Sequence, residues 1–182
     1  MSAITEIPVP TNTTWTVDPV HSTVGFAVKH MVVSTFRGRF EDYDAKLTAD
    51  ADGRLRLEGR VAADSIAVKD DTLAAHLKAP DFFDTERHPY ITFDSTLVRA
   101  ENGELIVDGE LTIKGNTRPI EARGTLTEPT LGLGDIEKVG LELEAIVDRT
   151  EYGLNWQAPL PKGGVALANE VKLQVSLELA KA

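Results

Sequence analysis

The chain has 182 residues, no cysteine and a formal net charge of −10 at pH 7. This length suits one domain, and a hydrophobic fraction of 42% with 26% charged residues is typical of a folded globular protein. The composition excludes disulfides, thiol nucleophiles and thiolate metal ligands, and its acidity argues against a nucleic-acid partner or a purely electrostatic attachment to anionic membranes.

The N-terminal stretch MSAITEIPVPTNTT contains neither the basic segment nor the apolar run of a secretory signal. No stretch approaches the roughly 18 apolar residues of a membrane-spanning helix, so we predict no integral membrane segment. Residues 1–13 are expected to form a flexible arm and residues 14–182 a single domain. The expected location is cytoplasmic.

Apolar and polar residues alternate along most of the chain. In residues 54–63, aliphatic side chains alternate with arginine and glutamate, as in a strand with one face in a core and the other in water. An Asn-Gly pair, Asn102 and Gly103, predicts a tight hairpin. The pattern predicts strands over residues 15–17, 22–31, 37–49, 54–63, 90–99, 104–114, 117–127, 137–149 and 166–179.

One segment has the period of a helix. Asp70 or Asp71 can cap its start, Leu73 and Leu77 recur four residues apart, and Pro80 ends it. Eight or nine strands, mostly joined by hairpins, together with this short helix predict an all-β fold, either an antiparallel barrel or a sandwich. An eight-stranded barrel has room for packed side chains or for one small ligand.

Two polar residues fall on strand faces that are predicted to point inward. His30 follows Val24, Phe26 and Val28 on one face, because side chains two residues apart share a face of a strand. It is either a core histidine bonded to the main chain or a polar group that faces a cavity. Arg149 continues the inward face of residues 137–149. Since arginine keeps its proton, it needs solvent at the strand end, a nearby carboxylate or an anionic ligand.

No motif predicts catalysis, a metal or a cofactor. The four histidines have spacings that match no metal site. His21 is expected to make hydrogen bonds at a corner of the chain, and His76 is assigned either to the surface or to a lid. There is no Gly-x-Ser-x-Gly elbow and no phosphate-binding glycine loop.

Six segments in order carry a resemblance to a known family. They read WTVDPVHSTVGFAVKHM, FRGRF, HLKAPDFFD, HPYITFDST, DGELTIKGNTRPI and DRTEYGLNW, and span about Thr14 to Leu179. Together they closely resemble the YceI-like family. The resemblance implies an extended eight-stranded antiparallel lipocalin-like β-barrel with a helix beside it. It also implies a deep apolar cavity for a long polyisoprenoid or a similar lipid.

The function predicted on this basis is binding, not catalysis. The barrel is expected to shield or transport a long-chain isoprenoid or similar amphiphilic lipid. Two alternatives stay open: an enzyme that acts on a small amphiphile through His30 and Arg149, and a structural module whose barrel is filled by its own side chains. A homodimer is also left open. The predicted ligand contacts are His21, Phe26, Val28, His30, Phe40, Leu77, Phe82, Phe93, Arg149 and Trp156.

Overall fold

Strands dominate residues 7–182, the part of the chain that the computed structural model describes. Helix α1 (Asp71–Lys78) lies between the sixth and seventh strands. The strands are β1 (Thr13–Val17), β2 (Thr23–His30), β3 (Ser34–Phe40), β4 (Tyr43–Ala49), β5 (Leu55–Ala62), β6 (Ile66–Ala67), β7 (Tyr90–Glu101), β8 (Glu104–Ile113), β9 (Asn116–Leu126), β10 (Thr130–Leu131), β11 (Glu137–Asp148) and β12 (Leu167–Lys181).

Hydrogen bonding closes the sheet on itself. The strands follow the order β11, β9, β8, β7, β5, β4, β1 and β12, and β12 then pairs with β11. Every pairing in this ring is antiparallel. The ring has eight strands, so the predicted eight-stranded antiparallel barrel is confirmed, and closure leaves no unpaired edge in the ring.

Two pairs of strands each behave as one long, kinked strand. β1 and β2 both pair with β12 and are separated by the short 3-10 turn Pro19–His21. Their partners β4 and β3 are separated by Glu41 and Asp42. The prediction of one segment over residues 37–49 was wrong here. Two successive exposed residues at the bend move the inward positions from even to odd numbers, so the alternation resumes in a new phase.

Helix α1 forms as its sequence predicts. Asp70 is the N-cap, and its side chain accepts a hydrogen bond of 2.8 Å from the main-chain N–H of Leu73. Leu77 is buried on the inner face of the helix. Of the residues described, no helix has the length and apolar content to cross a membrane.

The barrel interior divides into a filled half and a hollow half. In the filled half, Trp15 and Leu179 are completely buried, and they belong to a cluster of buried apolar side chains, most of them aliphatic. The hollow half is bounded by a second cluster that includes Phe40, Leu77 and Tyr152. The inward faces of both halves come from the same alternation along the strands.

The expected N-terminal arm lies partly outside the described residues, which begin at Ile7. Within the described part, Val9 is buried against the filled half of the barrel. The main-chain N–H of Asn12 donates a hydrogen bond of 3.2 Å to the carbonyl of Asp50. Residues 9–12 therefore contact the domain.

Candidate functional site

A cavity of about 580 Å³ occupies the hollow half of the barrel. Its size falls in the range of about 300–1,000 Å³ that small-molecule sites have. Inward side chains such as Val24, Phe26 and Leu173 stay partly exposed although they point into the barrel. They face open space inside it. The alternative of a barrel filled by its own side chains is therefore wrong for this half.

Aromatic rings form much of the cavity wall. Phe26 lies 6.1 Å from Phe36 and 6.0 Å from Phe40 between ring centroids, and Phe40 meets the ring of Phe83 edge-on at 5.8 Å. Aromatic pairs prefer such tilted and edge-on arrangements over face-to-face stacking. All six phenylalanines of the chain line the cavity, namely Phe26, Phe36, Phe40, Phe82, Phe83 and Phe93.

Two glycines allow rings to lie close to the barrel wall. A Cβ atom at Gly38 would stand 2.5 Å from Cζ of Phe26, and one at Gly109 would stand 2.4 Å from Cζ of Phe93. Non-bonded carbon atoms do not approach each other this closely, so both rings occupy space that any side chain at these positions would fill. A glycine inside a strand often marks such a close approach. Gly38 and Gly109 thereby enlarge the cavity, and sequence reasoning did not identify them.

A histidine and two aromatic rings cover one side of the cavity. The ring of His76 on α1 meets Phe82 and Trp156 edge-on, with centroids 4.9 and 5.5 Å away. Its Nε2 lies 3.3 Å from a carboxylate oxygen of Asp81. The sequence assigned His76 either to the surface or to a lid. In the structure, it belongs to the cavity wall.

Arg149 is buried next to the cavity, with 5% of its surface exposed. Its Nε donates to the carbonyl of Ala168 at 2.9 Å and Nη1 to that of Leu154 at 2.5 Å. Nη2 donates to the carbonyl of Leu167 at 3.3 Å and to Oδ1 of Asn169 at 3.4 Å. Burial lowers the pKa of Arg149, although arginine keeps its proton in proteins.

These contacts decide among the partners that the sequence left open for Arg149. No carboxylate of residues 7–182 lies within 4.0 Å of its guanidinium. Instead, the side chain joins the loop after β11 to the start of β12 through main-chain oxygens. Arg149 also lies in a 3-10 turn, Arg149–Tyr152, one residue beyond β11. Four of its five N–H groups are occupied by the protein, so the geometry does not favour Arg149 as an anion-binding partner in an enzyme.

Tyr152 lines the same part of the cavity and carries a buried hydroxyl group. Among the described residues, this hydroxyl has no hydrogen-bond partner. Burial raises the pKa of Tyr152 to about 12, with a smaller contribution from Glu151. The ring borders the cavity, but the oxygen itself is not accessible to water, so it is packed into the wall.

His30 stands at the rim of the cavity. It is the last residue of β2, pairs with Ser34 of β3 and, like Ser34, is exposed and lines the cavity. His30 therefore lies on the predicted inward face of the strand, where the alternative of a buried core histidine is wrong and that of a polar group facing the cavity agrees with its position. The barrel opens where β2 ends, so an inward position there is reached by solvent.

His21 does not line the cavity, so the structure does not support it as a ligand contact. Its Nδ1 lies 2.9 Å from Asp18 and 3.3 Å from Glu178, and the Nζ of Lys138 lies 3.4 and 3.1 Å from the same two carboxylates. The hydrogen bond with Asp18 raises the pKa of His21 and lowers that of Asp18 to about 2. This ion-pair cluster joins the Pro19–His21 turn to β11 and β12.

The same cluster is the candidate metal site of the described residues. Asp18, His21 and Glu178 bring three potential ligand atoms within 4.8 Å of one another. The ammonium group of Lys138 already contacts both carboxylates, and it would repel a cation placed between them. The cluster is accounted for by its ion pairs alone.

The other nine predicted contacts all line the cavity, from Phe26, Val28 and His30 to Arg149 and Trp156. The sequence predicted Val28 and Leu77 as ligand contacts but not the rest of the aliphatic wall, although the alternation placed many of those residues inward. This part consists of Val24, Leu57, Val61, Leu73, Ile91, Leu111, Ile113, Ile120, Leu143, Val147, Leu154, Leu167, Val171, Leu173, Val175 and Leu177. The result is an apolar chamber with polar groups at its rim.

A model of the YceI-like domain matches residues 15–179. The chain belongs to the YceI-like family. A UPF0312 protein of Staphylococcus aureus is 33% identical over 174 residues, which cover 92% of this chain and 98% of that protein. A UPF0312 protein of Staphylococcus epidermidis is 32% identical over 169 residues, with coverages of 90% and 95%.

Solved structures share the fold of this YceI-like chain at lower identity. Burkholderia cenocepacia BcnA superimposes with a TM-score of 0.76 at 21% identity, covering 89% of this chain and 98% of that one. A polyisoprenoid binding domain from Saccharophagus degradans, implicated in plant cell wall breakdown, gives a TM-score of 0.69 at 12% identity, with coverages of 92% and 98%. At these identities, the likeness shows that the YceI-like barrel is the shared architecture.

Proposed function

We propose that this YceI-like protein binds the hydrocarbon chain of an isoprenoid or a similar amphiphilic lipid in its barrel cavity and shields it from water during transport. The observation that carries this proposal is the apolar chamber of about 580 Å³ whose rim bears His30 and Ser34. A ligand with an apolar chain and a polar end matches this distribution of side chains. The Saccharophagus degradans domain, which shares the fold, is named for polyisoprenoid binding.

The energetics favour a chain over a compact polar ligand. Each buried CH2 group contributes about 0.8 kcal/mol, so a chain inside the chamber gains affinity with every carbon it buries. At about 30 Å³ for each water-sized group, the chamber accommodates on the order of 20 non-hydrogen atoms. A longer chain would leave its remainder at the rim, beside His30 and the exposed end of β2.

Uptake of prenyl alcohols by delipidated protein tests this proposal, with native mass spectrometry as the readout. We expect one ligand for each chain and a large loss of uptake in Leu173→Trp, which places an indole inside the chamber. Ile146→Trp is the matched control, because Ile146 lies on the outer face of the adjacent strand and is 61% exposed. Unchanged uptake in Leu173→Trp, or no uptake by the unmodified protein, would contradict the proposal.

A further inference from the structure

The hairpin that joins β2 and β3 has an apolar tip exposed to solvent. Met31, Val32 and Val33 form this tip and are 40%, 70% and 86% exposed. Val165, in the loop before β12, is 44% exposed. We call these four residues the apolar tip. Hairpin turns are usually polar, so a run of three exposed apolar residues needs an explanation.

The backbone of the tip makes the choice of residues more unusual. Met31 has a φ of 52° and Val32 a φ of 67°, both in the left-handed region. Asparagine and glycine adopt this region readily, whereas a β-branched residue such as valine is strained there. Val32 therefore destabilises the turn in two ways. Its backbone is strained, and its apolar side chain is exposed to water. An apolar side chain at this position makes sense if it is buried against something else.

The apolar tip stands at the rim of the cavity. It is flanked in sequence by His30 and Ser34, which line the cavity and are exposed. The main-chain N–H of Met31 donates a hydrogen bond of 2.8 Å to the carbonyl of Ala166, which joins the tip to the loop that carries Val165. A Cβ atom added at Gly164 would lie 3.9 Å from Cγ2 of Val32, so the hairpin and this loop lie side by side.

The two chain segments that carry the apolar tip differ in charge from the whole chain. Residues 23–40 and 152–169 contain no aspartate or glutamate, although the chain has 29 of them. They carry lysines at Lys29 and Lys162, close to the tip in sequence. Neither lysine has a carboxylate within 4.0 Å among residues 7–182. Lipid headgroups present phosphate, so these two segments of an otherwise acidic protein are suited to approach them.

We propose that the apolar tip docks on the surface of a lipid bilayer, with Met31, Val32, Val33 and Val165 inserted at the boundary between headgroups and acyl chains. Shallow insertion of apolar side chains beside basic residues is how peripheral proteins lie on membranes. In this orientation, the rim of the cavity faces the bilayer, and an amphiphile can move between the two without crossing water. The docking proposal does not depend on the proposed function. The transfer of an amphiphile does rest on the proposed function.

A second exposed apolar group supplies a matched control. Leu131, Leu133 and Ile136 are 64%, 97% and 45% exposed. They surround the short pairing of β10 with the start of β11. At this point of β11, Lys138 pairs with Ala180, which lies near the C-terminal end of β12. β12 begins near the tip and ends near this group, so the two apolar surfaces lie at opposite ends of the barrel.

The test measures co-sedimentation with vesicles of phosphatidylcholine that contain a minority of phosphatidylglycerol. Val32→Asn combined with Val33→Ser removes the apolar side chains and places a residue that tolerates positive φ at the strained position. We expect its vesicle binding to fall by at least about tenfold, because two exposed valines are no longer buried in lipid. Leu131→Asn combined with Leu133→Ser should bind as the unmodified protein does. The melting temperature of the tip variant should be equal or higher.

Equal vesicle binding by the tip variant, or none by the unmodified protein, would overturn the docking proposal. A change in the oligomeric state of the tip variant, without a change in its vesicle binding, would also overturn the proposal. The tip would then contact a second copy of this chain. Uptake of prenyl alcohol from cyclodextrin, without vesicles, should be the same in both variants. If docking depends on the tip and no variant takes up prenyl alcohol, the docking proposal stands and the proposed function fails.

Discussion

Phe26 and Gly38 face each other across β2 and β3, and the ring of Phe26 covers the bare backbone of Gly38. The first prediction follows from this contact. In Gly38→Ala, the new methyl group would start 2.5 Å from Cζ of the ring, so Phe26 must rotate towards the chamber. We expect weaker uptake of prenyl ligands with an unchanged fold, measured by ligand titration and circular dichroism.

Gly59→Ala is the control for this prediction. Gly59 also lines the cavity from within a strand, but the nearest atom to its added Cβ lies 3.9 Å away, an ordinary contact. We expect ligand affinity to fall more in Gly38→Ala than in Gly59→Ala. Equal affinities of the two variants would show that the position of the Phe26 ring does not limit the chamber.

The unpaired hydroxyl of Tyr152 predicts a stabilising substitution. Tyr152→Phe removes a buried polar group that has no partner among the described residues and keeps the ring that borders the cavity. The free energy of unfolding should rise by roughly 1 kcal/mol, since an unsatisfied buried group carries its full desolvation cost. Urea denaturation measures this change. Tyr43→Phe is the control, because the Tyr43 hydroxyl donates to Pro19 in an exposed bond of 3.4 Å. A loss of stability in Tyr152→Phe would mean that its hydroxyl is hydrogen-bonded.

The contacts of Arg149 predict that lysine cannot replace it. Lysine lacks the planar set of donors that reaches the carbonyls of Ala168, Leu154 and Leu167 together. Arg149→Lys should therefore lower the free energy of unfolding by roughly 2–4 kcal/mol, because buried acceptors lose their partners. Arg37→Lys, at an exposed position, should have almost no effect. A variant with full stability and lost ligand binding would instead assign Arg149 to the ligand.

The Asp18–His21 pair predicts how stability depends on pH. The pKa of His21 is raised above its ordinary 6.5, so its contribution is complete below pH 6.5 and disappears as pH rises through the raised value. The pKa of Asp18 is lowered from 3.8 to about 2, so its contribution is complete above pH 3.8 and disappears as pH falls towards 2. The pair stabilises the fold most between these limits.

Thermal denaturation of His21→Gln across pH measures this dependence. The difference in Tm between the unmodified protein and this variant should be larger at about pH 5 than at about pH 9, because His21 loses its charge as pH rises through its raised pKa. His30→Gln is the control, because His30 is exposed and forms no ion pair with the described residues. A Tm difference that stays constant with pH would contradict the assigned ion pair.

Alternation made much of the fold predictable, because inward and outward positions follow from a period of two. It placed Leu47 and Leu173 inward alike, yet Leu47 packs in the filled half and Leu173 faces the cavity. Periodicity reports which face a residue occupies and not whether another side chain meets it. The division of the barrel could therefore not be predicted from the pattern.

The partners of polar residues were the other part that the sequence did not reveal. Arg149 is satisfied by main-chain oxygens of residues far along the chain, and any residue type can supply such oxygens. His21 meets Glu178 only because the barrel brings β12 beside the Pro19–His21 turn. The sequence shows Gly38 and Gly109 as glycines inside predicted strands. It does not show that the rings of Phe26 and Phe93 pack on them.

The most direct test of the central claim is the dependence of affinity on chain length. Prenyl alcohols of increasing length are titrated into delipidated protein, and into Leu173→Trp in parallel. We predict that affinity rises with each isoprene unit up to about 20 carbons, the content of the chamber, and then levels off. Leu173→Trp should level off at a shorter chain than Ile146→Trp. An affinity that does not depend on chain length, or the same plateau in both variants, would contradict binding of the chain inside the barrel.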